Sequence, residues 1–109
     1  MTYGKMFAAL ADDTRRNIFE NLRENPRTVS ELAAQQPVSR PAVSQHLKVL
    51  QDSGLVNVKP VGTRRIYSVN TDGLALLRDY LDGYWSDVLK AYEQELRKGL
   101  KKKTNSRKQ

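Results

Sequence analysis

The tightest constraint on this chain is the punctuation of residues 28–69, where helix starts and stops stand so close together that only short elements fit between them. Thr28-Val29-Ser30-Glu31 matches a capping box, in which the Thr28 and Glu31 side chains each satisfy the other's free backbone N–H. Val29, Leu32 and Ala33 then point inward, and Pro37 closes this helix near Gln36, because proline cannot continue the ladder. After a turn at Pro37-Val38, Ser39 caps a longer helix and Pro41 occupies its first turn, where a missing N–H does no harm. Val43, Leu47 and Leu50 form its buried stripe, and Gly54 ends it in the left-handed conformation. A short helix, a tight turn and a longer helix make a helix-turn-helix pattern.

Two β-rich segments follow, Leu55 to Lys59 and Arg64 to Val69, joined through Pro60-Val61-Gly62-Thr63. Val56 and Val58 alternate with polar residues on the first, and Ile66, Tyr67 and Val69 give the second its apolar surface. That reads as a hairpin with a glycine-containing tip, placed where a wing would follow a helix-turn-helix. Upstream, Met6, Phe7 and Leu10 mark a short first helix. Asp12 and Asp13 then offer oxygens to a second helix, Thr14 to Glu24, with Ile18, Phe19 and Leu22 on one face and Asn25-Pro26 as its stop. Asn70-Thr71 caps a last helix from about Asp72 to Leu96. The fold expected is mainly α with a small β-hairpin wing, in the order α-α-α-α-β-β-α. Residues 1–96 form a DNA-binding and dimerisation domain in this scheme, and residues 97–109 a basic, disordered tail.

The last helix carries two apolar seams, one through Leu74, Leu77, Leu81, Tyr84 and Val88, the other through Trp85, Leu89, Tyr92 and Leu96. Together they are wider than the stripe that covers one core. At about 1.5 Å per residue this helix is roughly 37 Å long, more than a small body can cover. A second subunit is the expected cover. The aromatic residues Tyr84, Trp85 and Tyr92 could instead line a pocket for a small apolar effector, but core or dimer packing explains them more simply.

Charge separates the parts further. The chain of 109 residues carries a net +7, yet the seven basic residues from Arg97 to Lys108 face no acid, so residues 1–96 are neutral overall. Within them, residues 37–66 hold Arg40, Lys48, Lys59, Arg64 and Arg65 against Asp52, and residues 67–96 are correspondingly acidic. A basic middle and an acidic third suggest two surfaces with different work. The absence of cysteine excludes disulfides, thiol nucleophiles and Cys-bearing zinc fingers, and the lone His46 cannot build a multi-histidine metal centre. The longest apolar run, Met6 to Ala11, is six residues, against the ~20 that a membrane span needs. No export signal is visible, so a cytoplasmic location is expected. Neither a phosphate-binding glycine loop nor a nucleophile–base constellation is visible, and no enzyme is expected.

The sharpest functional signal is the outer face of the longer helix. With Val43, Leu47 and Leu50 inward, Arg40, Pro41, Ser44, Gln45 and Lys48 point outward. Glutamine pairs bidentately with adenine and arginine with guanine, serine serves either, and lysine suits a phosphate. His46 sits beside the buried stripe and is expected to hydrogen-bond locally or to a phosphate. Thr63, Arg64 and Arg65 at the wing tip are candidates for minor-groove or phosphate contact. Since adjacent strand residues face opposite ways, at most one of the two arginines is expected to reach a groove. Arg15 and Arg16 are expected to form salt bridges with Asp12 and Asp13. Asp79 and Asp82 are read as a hydrated face rather than a cation site, and the basic tail as a non-specific phosphate grip or a solubilising segment.

The runs Leu10-Ala11-Asp12-Asp13-Thr14-Arg15-Arg16, Val38 to Leu50 (VSRPAVSQHLKVL), Gly54-Leu55-Val56 and Gly62-Thr63-Arg64-Arg65-Ile66-Tyr67 resemble, in order and spacing, the ArsR/SmtB family of bacterial winged-helix repressors. The resemblance spans roughly residues 4–96. It implies a homodimer whose terminal helices help form the interface, with one recognition helix for each half of an inverted-repeat operator in double-stranded DNA. It also implies that Ser39, Arg40, Ser44, Gln45 and His46 lie in the region that meets DNA. Met6, Leu74, Leu77, Leu81, Tyr84, Trp85, Val88 and Tyr92 are the expected interface. The family commonly has Asp-Pro-Thr-Arg where this chain has Asp12-Asp13-Thr14-Arg15. Its metal sensors use cysteine near the helix after Thr28, or His and acids on the terminal helix. With no Cys, and no His on the terminal helix, this chain resembles the metal-free branch, and neither metal nor cofactor is expected. The expected function is thus a dimeric, sequence-specific repressor, with any small-molecule or protein effector left open. The alternative is a winged-helix protein–protein interaction dimer whose only nucleic-acid affinity lies in its basic tail.

Overall fold

The computed structural model describes the backbone of residues 2–107 and the side chains of residues 3–100. The chain folds as α1 (Thr2–Ala11), α2 (Asp13–Glu24), α3 (Val29–Ala34), α4 (Arg40–Asp52), β1 (Val56–Val61), β2 (Arg64–Val69) and α5 (Thr71–Arg107). Two compact units result, Met1–Leu77 and Arg78–Gln109, and α5 runs from the first into the second.

Local chemistry sets the helix starts. The Asp12 carboxylate accepts the Arg15 N–H at 2.9 Å and caps α2. Thr28 and Glu31 complete the capping box of α3, with Glu31 accepting from the Thr28 N–H at 2.8 Å and Thr28 Oγ1 from the Glu31 N–H at 3.2 Å. Ser39 accepts from the Ala42 N–H at the start of α4, and Asn70 from the Gly73 N–H at the start of α5. Each cap satisfies a donor that the helix cannot satisfy itself.

The first unit is held by one core. Ile18, Leu32, Val43, Leu47, Leu50 and Leu55 are fully buried, with Phe19, Leu22, Val56 and Tyr67 beside them. α4 ends at Asp52 with Ser53 as its cap, and Gly54 takes φ +86° as the residue after the cap. This turn lies directly under α5: a Cβ on Gly73 would overlap the Gly54 carbonyl oxygen, so the two backbones meet as closely as they do only because Gly73 has no side chain.

The structure changes several expectations. The hairpin is tighter than the sequence suggests: Pro60 pairs with Arg65 and Val61 with Arg64, which leaves only Gly62-Thr63 as the turn. Gly62 at φ +61° opens a two-residue turn of the primed kind that matches strand twist, and Pro60 is tolerated because a two-stranded sheet leaves it an edge. Arg27 adds a third contact to the wing, exchanging both backbone hydrogen bonds with Tyr67 at 2.9 and 2.8 Å. α3 ends at Ala34, earlier than Gln36, with Gln35 as its cap.

Two corrections concern the expected interface. Met6 is fully buried and Leu77 is 6% exposed, both within the core of the first unit, so neither has surface to offer a partner. The i, i+3 pattern that flags an apolar side chain cannot say which of two neighbours covers it. The remaining interface candidates, Leu74, Leu81, Tyr84, Trp85, Val88 and Tyr92, are exposed, with Trp85 and Tyr92 at 60% and 62%. A third correction concerns the tail: α5 continues through Arg107, where disorder is expected from Arg97 onward. Lys and Arg are good helix formers and favour a helix C-terminus, so a basic run extends a helix that no proline stops.

Candidate nucleic-acid interface

On α4 the burial of Val43, Leu47 and Leu50 orients everything else. Arg40, Pro41, Ser44, Gln45 and Lys48 are exposed, and so is the cap residue Ser39. Lys48 shares its charge with Asp52 one turn on, Nζ to Oδ1 at 3.4 Å, an exposed pair of little strength. Gln45 and Ser44 therefore hold the middle of an uncommitted polar face, with Arg40 at its N-terminal end.

His46 is half-buried, and its Nδ1 lies 3.4 Å from Arg15 Nη1. Arg15 itself does something the sequence does not suggest. Its Nε donates to the Ala9 carbonyl at 2.6 Å and its Nη2 to the Ala8 carbonyl at 3.3 Å, while Arg16 Nη1 donates to the Leu10 carbonyl at 2.9 Å. Two arginines from the start of α2 thus satisfy the last carbonyls of α1, which its own ladder leaves unpaired. Only Arg16 makes the expected salt bridge, to Asp13 at 2.8 Å. The signal was present in the chain order: only Asp12 separates α1 from α2, which brings the last carbonyls of α1 within reach of the second helix's first turn.

At the wing, Thr63, Arg64 and Arg65 line a cleft of about 560 Å³ together with Arg40 and the Thr28–Glu31 segment. Both arginines border this cleft of the protein, although adjacent strand residues start out on opposite faces. A two-stranded ribbon twists strongly, and an arginine side chain is long enough to round its edge. Glu31 is the one acid there, and its carboxylate is committed to the Thr28 N–H. That hydrogen bond, then the one to the Thr28 hydroxyl, and then the charges of Arg27 and Arg64, hold Glu31 below the usual carboxylate range. The cleft therefore presents three guanidinium groups and two exposed hydroxyls, Ser30 and Thr63, to whatever enters it. The part played by α3 was not legible beforehand, because it needs the wing tip to fold over beside the α3 N-terminus.

Asp12 is also held low, first by the Arg15 backbone N–H and then by the charges of Arg15 and His46. The sign is the same for both acids: a folded pKa below the unfolded one adds stability above about pH 4, which is lost as pH falls through the depressed value. The melting temperature is therefore expected to drop on acidification below about pH 4. Asp12→Asn combined with Glu31→Gln should flatten that drop in thermal melts followed by circular dichroism.

Among the described residues, no group of three or more His, Asp or Glu side chains could hold a metal ion, and no helix is long and apolar enough to cross a membrane. Residues 12–58 match the family described as bacterial regulatory protein, arsR family. The chain is 53% identical over 90 residues to the HTH-type transcriptional regulator Rv2034 of Mycobacterium tuberculosis, covering 83% of this chain and 84% of that one. Its fold is similar to an ArsR-like transcriptional regulator from Rhodococcus sp. RHA1, with a TM-score of 0.70 and 33% identity over 85% of this chain and 91% of the other. It is also similar to a homodimeric winged helix-turn-helix DNA-binding domain from Mycobacterium bovis, with a TM-score of 0.65 and 25% identity over 81% and 82% of the two chains. With a helix-turn-helix packed on one core, a two-stranded wing and this kinship, the chain belongs to the ArsR family and is a winged-helix, DNA-binding transcriptional regulator rather than an enzyme.

Proposed function

We propose that this regulator is a cytoplasmic homodimeric repressor of an inverted-repeat operator. Each α4 enters a major groove, where Gln45 and Arg40 read base edges and Ser44 supports them. Ser39, His46 and Lys48 meet the backbone beside them. Thr63, Arg64 and Arg65 hold the flanking duplex, with one wing arginine on phosphate or in the minor groove. The observation that carries this reading is the division of α4: three apolar side chains fully buried, and a continuous polar face left exposed beside a cleft of three arginines. The homodimer is supported by the exposed apolar residues of α5 and by the homodimeric state of the similar Mycobacterium bovis domain. Repression follows sterically, since a dimer seated on two grooves excludes other proteins from the same stretch of DNA.

Selection of bound duplexes from a random pool tests the reading. Enriched sequences should contain an inverted repeat with half-site centres about one helical turn, roughly 34 Å, apart. Enrichment without a repeat would remove the dimeric operator. Retention that depends on salt alone, with no sequence enriched, would leave only phosphate attraction and overturn the repressor reading.

A further inference from the structure

Of the five hydroxyl residues from Thr28 to Ser53, three hold backbone groups. Thr28 and Ser39 cap α3 and α4, and Ser53 Oγ donates to the Leu50 carbonyl at 2.8 Å. A fourth, Ser44, lies on the exposed face of α4. The fifth, Ser30, is exposed, and no hydrogen bond engages its Oγ among the described residues. Ser30 borders the cleft that also holds Arg40, Arg64 and Arg65. Among the described residues, none of those three guanidinium groups has an ion-pair partner. The one acid lining the cleft, Glu31, accepts the Thr28 N–H, and the Arg64 charge is among the influences that hold its carboxyl low. That charge is therefore felt in the first turn of α3, where Ser30 lies.

We propose that Ser30 is a phosphorylation site, and that its phosphoryl group, held among Arg40, Arg64 and Arg65, closes the cleft to DNA. The proposal rests on the operator-binding reading above and adds its regulation. A serine kinase transfers the γ-phosphoryl group of a nucleoside triphosphate to Ser30 Oγ. The new O–P bond forms as the bond from that phosphorus to the β,γ-bridging oxygen breaks. The nucleoside diphosphate leaves with the electron pair, and the hydroxyl proton passes to the kinase's base. Hydrolysis by a phosphatase reverses the step. The group carries a charge of about −1.5 to −2 at pH 7 and three acceptor oxygens, which suit the guanidinium fork. It cancels most of the positive charge of the cleft, and the phosphates of DNA then meet a like charge where they met arginine. Arg27 precedes Ser30 by three residues, the spacing that basic-directed serine kinases read. Arg65 precedes Ser68 by the same step, but Ser68 is half-buried in the ladder opposite Asn57. A surface helix of six residues opens locally at small cost, which presents Ser30 to the kinase. Glu31 does not oppose the modification, since adjacent residues of a helix do not face each other.

Treating the full chain with a basic-directed serine kinase and ATP tests this. Fragment mass spectrometry should place a phosphoryl group on Ser30, and Ser30→Ala should remove it while binding the operator as the parent does. The phosphorylated chain should bind operator about 100-fold more weakly at about 0.1 M salt, with a shallower salt slope. Phosphatase treatment should restore the affinity. Phosphorus NMR reads the cleft without DNA: the phosphoryl group should lose its last proton clearly below the usual pH of about 6. Arg64→Ala with Arg65→Ala should return that ionisation towards its usual value. Label on Thr63 or Ser68 alone, or no label, overturns the proposal. So does an ordinary ionisation that the arginines do not influence, or an operator affinity that phosphorylation leaves unchanged. Helix lost on phosphorylation, seen by circular dichroism, overturns it too, because the group would then melt α3 rather than fill the cleft. Should the unmodified chain select no DNA sequence, the repressor reading fails, and the phosphorus titration alone decides whether the cleft holds the group.

Discussion

Leu47→Ala is expected to lower the unfolding free energy by about 2–5 kcal/mol, the range for deleting a fully buried leucine and leaving a cavity. Leu47 has no exposed surface and lies in a core to which every element of the first unit contributes. α4 cannot slide to fill the space. Its N-terminus is capped by Ser39 and its C-terminal turn is tied by the Leu55 N–H to the Leu50 carbonyl at 3.0 Å. Urea unfolding reads the loss as a shift in midpoint at constant slope. A cost below about 1 kcal/mol would mean that the site collapses easily, and that α4 is held less rigidly than its packing indicates. Because the same residue orients the outer face of α4, DNA affinity should fall in parallel when measured near the variant's melting point, and recover on cooling.

Gln45→Ala separates stability from recognition. Gln45 is exposed and no core residue leans on it, so unfolding should be within about 0.5 kcal/mol of the parent. Operator affinity should fall by about 1–3 kcal/mol per half-site, roughly five- to 150-fold, if the amide reads a base edge. The informative readout is preference rather than affinity. Discrimination should relax at one base position in each half-site and persist elsewhere. Equal weakening on every sequence would place Gln45 on the backbone, and the base-reading role would pass to Arg40 or Ser44. Lys48→Ala is the natural control, because a phosphate contact weakens all sequences alike and lowers the salt slope.

The expectations that held were those with local causes. Thr28 and Glu31 are three residues apart and cap each other wherever the helix ends up. Ser39, Pro41 and Gly54 bracket α4 for equally local reasons, and its apolar stripe at 43, 47 and 50 is buried as its period requires. The hairpin was legible as a hairpin, yet its turn was not. Pro60 looked like loop, and only pairing with Arg65 makes it strand.

What the order of residues alone establishes is therefore the element sequence, the helix-turn-helix with its wing, the orientation of α4 and the uneven charge. All of these depend on contacts within a few residues or on periodicity. Tertiary structure decided the rest. It sent the Arg15 guanidinium to the end of α1, tied Arg27 to Tyr67, and closed the α3–wing cleft around Arg40, Arg64 and Arg65. It also took Met6 and Leu77 into the core and left the other apolar residues of α5 exposed. The physical reason is common to all of these: an apolar or basic side chain advertises that it needs a partner, but which partner lies within reach is set by where distant segments come to rest.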